Sequence, residues 1–182
     1  MEIEEFFELS VGKWFSQRTY YDLASQQAGS GKSDIVIEQV SSQAPEVLQL
    51  CERGGVSPSS TRNGIKISWD NSADWGKAKQ IGFALLVPIP DPSNPQIGQF
   101  LHSSSNPQED CLNGCYALKA DDALTLATQG ETMYAEERLW FASPNLRLRT
   151  SFVKNGDRPQ SSAFYSEIRR MPPANSDSPA AS

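Results

Sequence analysis

Apolar and polar positions alternate in short runs along most of the chain, the pattern of strands that bury one face. Runs at 34–40, 64–70, 80–88, 97–102, 115–119, 123–128, 132–142, 146–153 and 162–170 are mostly rich in β-branched, aromatic or leucine residues and predict strands, with a further strand opening at Gly12. Turn residues separate them at close intervals: Asn63-Gly64, Asp121-Asp122, Gln129-Gly130, Pro144-Asn145 and Asn155-Gly156-Asp157. Two segments follow helical spacing instead. Ile3, Phe6 and Phe7 share a face behind an acidic first turn, a helix short enough to act as a lid or plug. From Pro45 to Arg53, Val47, Leu50 and Cys51 share a face and Gly54 can end the helix. Longer loops are expected from Pro88 to Pro95 and from Ser103 to Asn113. Nine or ten strands joined by tight turns predict antiparallel hairpins in a sandwich or a closed up-and-down barrel. Closure removes exposed edges, so the expected fold is an all-β barrel with short helices.

A length of 182 residues suits a single core, placed at 1–170, and the Pro-, Ala- and Ser-rich end at 171–182 is expected to be disordered. A net charge of −6 argues against nucleic acid, whose binding needs clustered Lys and Arg. The longest apolar run, Phe83 to Val87, stops at Pro88, far short of a membrane span, so no transmembrane segment is expected. Glu2, Glu4, Glu5 and Glu8 do not fit a secretory or transit leader. Three cysteines, Cys51, Cys111 and Cys115, form no disulfide framework and suit a reducing compartment, so the protein is placed in the cytosol.

Several motifs carry little chemistry. Gly29-Ser-Gly-Lys-Ser33 lacks a glycine at Gln26 and a preceding apolar strand, so it is read as a surface turn rather than a phosphate loop. His102, Cys111 and Cys115 lack an obvious fourth donor and have unusual spacing for zinc, so no metal is expected. No sharp turn flanks a Ser or Cys that could serve a hydrolytic triad. Gly12-x-Trp14 resembles the short signature of lipocalins and related barrels, in which the Trp packs at the closed end under an Arg that Arg169 or Arg170 could supply.

The last strands hold the most chemistry. Thr132, Tyr134, Glu136, Arg138 and Trp140 alternate with Met133, Ala135, Glu137 and Leu139, and Arg147, Arg149 and Ser151 alternate with Leu146, Leu148 and Thr150. Residues 136–170 contain seven basic and four acidic side chains, net +3, against nine and eighteen, net −9, in the rest. Binary patterning favours charged faces in water and leucines in the core. The alternative is that Glu136, Arg147 and Arg149 line the interior, where a cation needs a carboxylate or a bound anion. Such a pocket would suit an acidic, otherwise apolar ligand, with Trp69, Trp75, Tyr134 and Trp140 as flat walls.

Three blocks carry a family resemblance: Phe6-Phe-Glu-Leu-Ser-Val-Gly-Lys-Trp-Phe-Ser-Gln-Arg-Thr19, Glu136-Glu-Arg-Leu-Trp-Phe-Ala-Ser-Pro-Asn-Leu-Arg-Leu-Arg-Thr150 and Phe164-Tyr-Ser-Glu-Ile-Arg-Arg170. Together they resemble the CpcS/CpeS family of phycobiliprotein lyases. The resemblance implies a lipocalin-like barrel of about ten antiparallel strands that binds an open-chain tetrapyrrole, phycocyanobilin first among candidates, as substrate rather than permanent cofactor. It hands the bilin to a cysteine of an apo-phycobiliprotein subunit of phycocyanin or allophycocyanin type, forming a thioether. It further implies that Arg18, Arg147 and Arg149 hold propionates or pyrrole carbonyls, that Glu136 bonds pyrrole N–H groups, that Glu136 and Arg149 are the catalytic pair, and that Trp69 and Trp75 wall the cavity. The thiol belongs to the acceptor, so no nucleophile is required here. A cyanobacterial cytoplasm or an algal plastid stroma follows, with a homodimer or a complex with a sister lyase subunit left open. A non-catalytic bilin carrier and an accessory subunit of a heteromeric lyase are the alternatives. Tyr20-Tyr-Asp-Leu-Ala-Ser25 departs from the His-rich segment of many family members.

Overall fold

The computed structural model describes residues 1–105 and 114–170. The predicted disordered tail, Cys111 and most of the second predicted loop lie outside the described residues. Helix α1 (Ile3–Ser10) leads into ten strands: β1 (Gly12–Asp22), β2 (Gln27–Val40), β3 (Gly64–Asp70), β4 (Ile81–Asp91), β5 (Asn94–Ser104), β6 (Gly114–Leu118), β7 (Leu124–Gln129), β8 (Met133–Ser143), β9 (Leu146–Asn155) and β10 (Arg158–Arg169). Helix α2 (Pro45–Gly54) and a 3-10 turn (Pro58–Ser60) connect β2 to β3. Every strand pairs antiparallel with its neighbour in sequence, and β10 returns to β1, closing the barrel. The architecture is the predicted lipocalin-like one.

One end of the barrel is plugged. The chain enters α1 through a Glu2 backbone N–H donated to Glu5 Oε2 at 2.7 Å, and Ile3, Phe6, Phe7 and Ser10 are buried against the strands. Ser10 then ties helix to strand: its hydroxyl donates to the Phe6 carbonyl at 2.8 Å, and its carbonyl accepts the Trp14 indole N–H at 2.9 Å. Trp14 is wholly buried, with the Arg169 guanidinium 4.1 Å and the Arg147 guanidinium 5.2 Å from its ring. Arg169 also donates to the carbonyls of Leu9, Val11 and Pro144, so it stitches helix, β1 and the β8–β9 turn together. Arg170 lies outside instead, over Phe15 and 2.6 Å from Asp34. Gly12 has φ +131° beneath Arg169, and a side chain there would meet that guanidinium at 2.7 Å.

A second apolar cluster lies outside the barrel, where Val47, Leu50 and Cys51 of α2 cover Leu85, Val87 and Leu101. Gly54 closes this helix as its last residue, and Gly55 takes the left-handed cap at φ +64°. Burial pushes the Cys51 thiol up, which keeps it protonated.

Two expectations need correction. Pro88 to Pro95 is not a long loop, because β4 runs to Asp91 and β5 starts at Asn94. The last β3 partner of β4 is at Leu86, and beyond it the Pro88 carbonyl points to the β3 side, where it accepts Arg62 N–H at 3.0 Å. The proline nitrogen faces the same side, so its missing hydrogen removes no bond to β5. Nor is Gly29 to Ser33 a turn. It pairs along β1, with Gly29 opposite Tyr20 and Gly31 opposite Arg18, so these glycines make room for large neighbours.

Replacing Trp14 with Ala should destabilise the protein by about 3 to 5 kcal/mol, the range for emptying a packed indole site. Urea unfolding followed by far-UV circular dichroism measures this, and a shift of the midpoint below about 1 kcal/mol would show that the plug does not depend on Trp14.

Candidate functional site

The interior is built from opposed strand registers. Arg18 of β1 faces Tyr165 of β10, which faces Arg149 of β9, which faces Leu139 of β8. One row nearer the plug, Ser16, Glu167, Arg147 and Phe141 follow one another, and one row nearer the other end, Tyr20, Ala163, Ser151 and Glu137. Side chains in directly paired positions share a face, so all of these point inward.

Within this wall, Arg147 Nε donates to Glu167 Oε2 at 2.6 Å, Arg149 Nη1 donates to Glu137 Oε1 at 3.0 Å, and Arg149 Nη2 lies 3.6 Å from Glu167 Oε1. Glu167 is 0% exposed and therefore bridges two cations away from water. Arg149 also lies over Tyr165, 3.8 Å from the ring centre. Burial pulls the Arg147 guanidinium below its usual range, with Glu167 opposing that pull. For Arg149 burial works the same way, but the Glu137 and Glu167 carboxylates outweigh it and raise the group. Arg149 Nε is buried without a hydrogen-bond partner among the described residues. Above them Arg18 is exposed, stacked on Tyr20 at 4.8 Å, and in no ion pair among the described residues.

A cavity of about 60 Å³ lies over Phe6, Phe7 and Ser10, walled by Ile35, Ile67, Leu86, Leu126 and the Arg–Glu network. That volume holds only a few waters. Above it the inward positions mix small residues, Gly31, Ser33, Gly82, Ala84, Thr128, Ala135, Ser151 and Ala163, with the large side chains of Arg18, Tyr20 and Trp69. The ion-pair network therefore stands directly above the apolar plug.

The predicted site residues divide. Arg18, Arg147, Arg149 and Trp69 face inward, Trp69 beside Ile35 and over Gly82. Glu136 does not line the interior. It pairs with Ala127 and Phe152 on the outer face, where it accepts the Tyr134 hydroxyl at 2.6 Å. Tyr134 and Trp140 share that outer face, so neither walls the cavity. The hydrogen bond to Glu136, with burial second, pushes the Tyr134 phenol up to about 12. Trp75 is 93% exposed in the β3–β4 connection and is not a cavity wall in this conformation. The inward carboxylates are Glu137 and Glu167. Glu137 stood on the leucine-bearing face of its strand, whose alternation signalled core, and Glu167 was visible only as an acid opposite a predicted arginine strand. His102 faces inward opposite Leu86 and Cys115 outward opposite Gln99, so the wall separates these two of the three candidate metal ligands, and Cys111 lies outside the described residues.

The sequence profile of the CpeS-like protein family matches residues 2–170, nearly the whole described chain. The chain belongs to the CpeS-like family. Relatives of this CpeS-like protein include a chromophore lyase CpcS/CpeS of Thermosynechococcus vestitus, 43% identical and covering 97% of this chain and 98% of that one. A phycocyanobilin lyase subunit CpcS of Picosynechococcus is 34% identical over 92% of this chain and 86% of its own. Among solved structures, the S-type phycobiliprotein lyase CPES of Guillardia theta superposes with a TM-score of 0.81 at 31% identity, covering 94% of each chain. No helix among the described residues is long and apolar enough to cross a membrane.

Glu167→Ala should cost about 3 to 5 kcal/mol, because it leaves Arg147 as a buried, uncompensated cation. Glu136→Ala, on the outer face, should change stability by less than about 1 kcal/mol. Denaturant titration of both variants measures the contrast, and equal effects would contradict the assignment of faces.

Proposed function

We propose that this protein is a phycobiliprotein lyase that binds an open-chain tetrapyrrole, phycocyanobilin in the first instance, and transfers it to a cysteine of an apo-phycobiliprotein subunit. The observation that carries this reading is the pair of arginines, Arg147 and Arg149, held inside an otherwise apolar barrel by Glu137 and Glu167. An acidic, conjugated ligand matches that interior: propionates can pair with Arg18 and the free Nε of Arg149, a carboxylate can accept from pyrrole N–H groups, and Trp69 offers a flat face. The role first assigned to Glu136 passes to Glu137, its inward neighbour. The names of the relatives support the same activity.

The bilin is larger than the cavity at the barrel floor, so it lies mainly above that cavity, among Arg18, Tyr20 and Trp69, with one polar edge against the Arg–Glu network. The acceptor thiol adds across the vinylic double bond of ring A: sulfur bonds to carbon, the thiol proton passes to the bilin, and nothing leaves. The lyase supplies placement. Holding one conformation and one face of a flexible ligand toward the incoming sulfur turns a promiscuous addition into a directed one. The enzyme needs no nucleophile of its own, and Cys51 and Cys115, free among the described residues, take no part. Three cysteines without disulfide-framework spacing fit a cytoplasmic setting.

The test mixes the protein with phycocyanobilin and apo-phycocyanin β-subunit, then denatures the mixture and reads bilin fluorescence on the subunit against a control without the lyase. Correctly absorbing adduct that depends on the protein is the expected result. Bilin binding with an uncoloured subunit would instead make this a carrier or an accessory subunit. In the same assay Arg149→Ala and Glu137→Ala should lower transfer at least about tenfold, since each charge-assisted bond contributes about 1.5 to 3 kcal/mol, whereas Glu136→Ala should transfer as wild type.

A further inference from the structure

We propose that the barrel floor seats the lactam edge of ring D of the bilin, the terminal ring opposite ring A, so that the ligand stands end-on with ring A toward the rim. This rests on the bilin-transfer reading and adds an orientation to it. Two buried atoms carry the inference. Among the described residues, Arg149 Nε is a donor without an acceptor and Glu167 Oε1 an acceptor without a donor. Both residues line the cavity of about 60 Å³ over α1, and Nη2 of the same guanidinium lies 3.6 Å from that Glu167 oxygen. Glu167 is 0% exposed, so bulk water cannot serve its oxygen, and one small ligand group can meet both atoms.

The charge around them is already balanced. Arg147 and Arg149 stand against Glu137 and Glu167, two cations against two carboxylates. Of the groups that could meet Arg149 Nε, a propionate would bring a third carboxylate into this buried set, and it has no proton to give Glu167 Oε1. A lactam is neutral and presents an acceptor beside a donor. Its carbonyl accepts from Arg149 Nε, and its N–H, on the adjoining ring atom, donates to Glu167 Oε1. In an open-chain tetrapyrrole only the terminal rings, A and D, are lactams. The propionates, on the inner rings, then fall to Arg18, which is exposed and in no ion pair among the described residues.

The plug decides which terminal ring this is. Phe6, Phe7 and Ser10 of α1 close the barrel beneath the cavity, so a thiol carried by another protein reaches the ligand from the opposite rim. Ring A takes the sulfur and must stand there, which leaves ring D for the floor. Ile67, Leu86 and Leu126 on the cavity wall suit the alkyl substituents of that ring.

The experiment titrates the full chain, by absorbance, with phycocyanobilin, its dimethyl ester, and two O-methyl lactim ethers, one at ring D and one at ring A, in which methylation removes that ring's N–H. The ring D ether should bind about tenfold or more weakly than phycocyanobilin, and the ring A ether within about threefold of it. Arg149→Lys keeps the charge and loses the Nε donor. Checked for folding by circular dichroism, it should weaken phycocyanobilin and the dimethyl ester by the same factor, to within about twofold. A loss confined to the ring A ether, equal binding of the two ethers, or an Arg149→Lys loss that vanishes with the dimethyl ester would each overturn the seat. The ether comparison uses the wild-type chain and decides the matter even if the variant misfolds. Transfer to apo-phycocyanin β-subunit is read separately. The ring D pattern in a protein that leaves the subunit uncoloured would keep the seat and refute the lyase reading alone, while failure to bind any of the bilins would refute both.

Discussion

Glu167 is the constraint around which the interior is organised. A carboxylate with no exposure must be compensated, and it is compensated by two arginines from the adjacent strand, one at hydrogen-bond distance and one at 3.6 Å. An isolated buried charge would cost several kcal/mol, so Arg147, Arg149 and Glu167 are mutually dependent. Arg147 in turn lies over Trp14, whose indole bonds the end of α1. The polar network of the site and the apolar plug beneath it therefore share a wall, and a ligand meeting Arg149 meets a group already fixed by two carboxylates and a tyrosine ring.

The barrel is asymmetric along its axis for reasons of side-chain size. Near α1 the interior is filled by phenylalanine, isoleucine, leucine and Trp14, while toward the rim glycine, alanine, serine and threonine stand beside Arg18, Tyr20 and Trp69, with Gly29 under Tyr20 and Gly82 under Trp69. With α1 plugging one end, the charged network lies between that plug and the opposite rim.

The fold was legible because hairpins leave local marks. Strand β3 occupies the span its alternation predicts, α2 ends one residue past its predicted last residue, and the turns at Pro144-Asn145 and Asn155-Gly156-Asp157 connect the strands they separate. The prolines after Pro88 and the glycines of Gly29 to Ser33 misled, since both residue types mark turns in isolation. In the barrel Pro88 and Pro90 stand where β4 has run past β3, Pro92 in the tight turn and Pro95 at the start of β5, and the glycines stand opposite Tyr20 and Arg18. Neither context exists before strands pair.

Sequence alone determined that β8 and β9 each have one charged face and one apolar face, because side chains alternate with period two. It could not determine which face turns inward, and the answer differs between the two strands. On β8 the face bearing Ala135, Glu137 and Leu139 is inside, which sends Glu136, Arg138 and Trp140 out; on β9 the face bearing Arg147 and Arg149 is inside, and Leu148 lies outside opposite Trp140. Each strand's facing is set by its register with both neighbours around a closed ring and by where the compensating carboxylates fall, and a one-residue shift reverses it. Only the tertiary structure brings Glu137 and Glu167, 30 residues apart in sequence, to the same arginine.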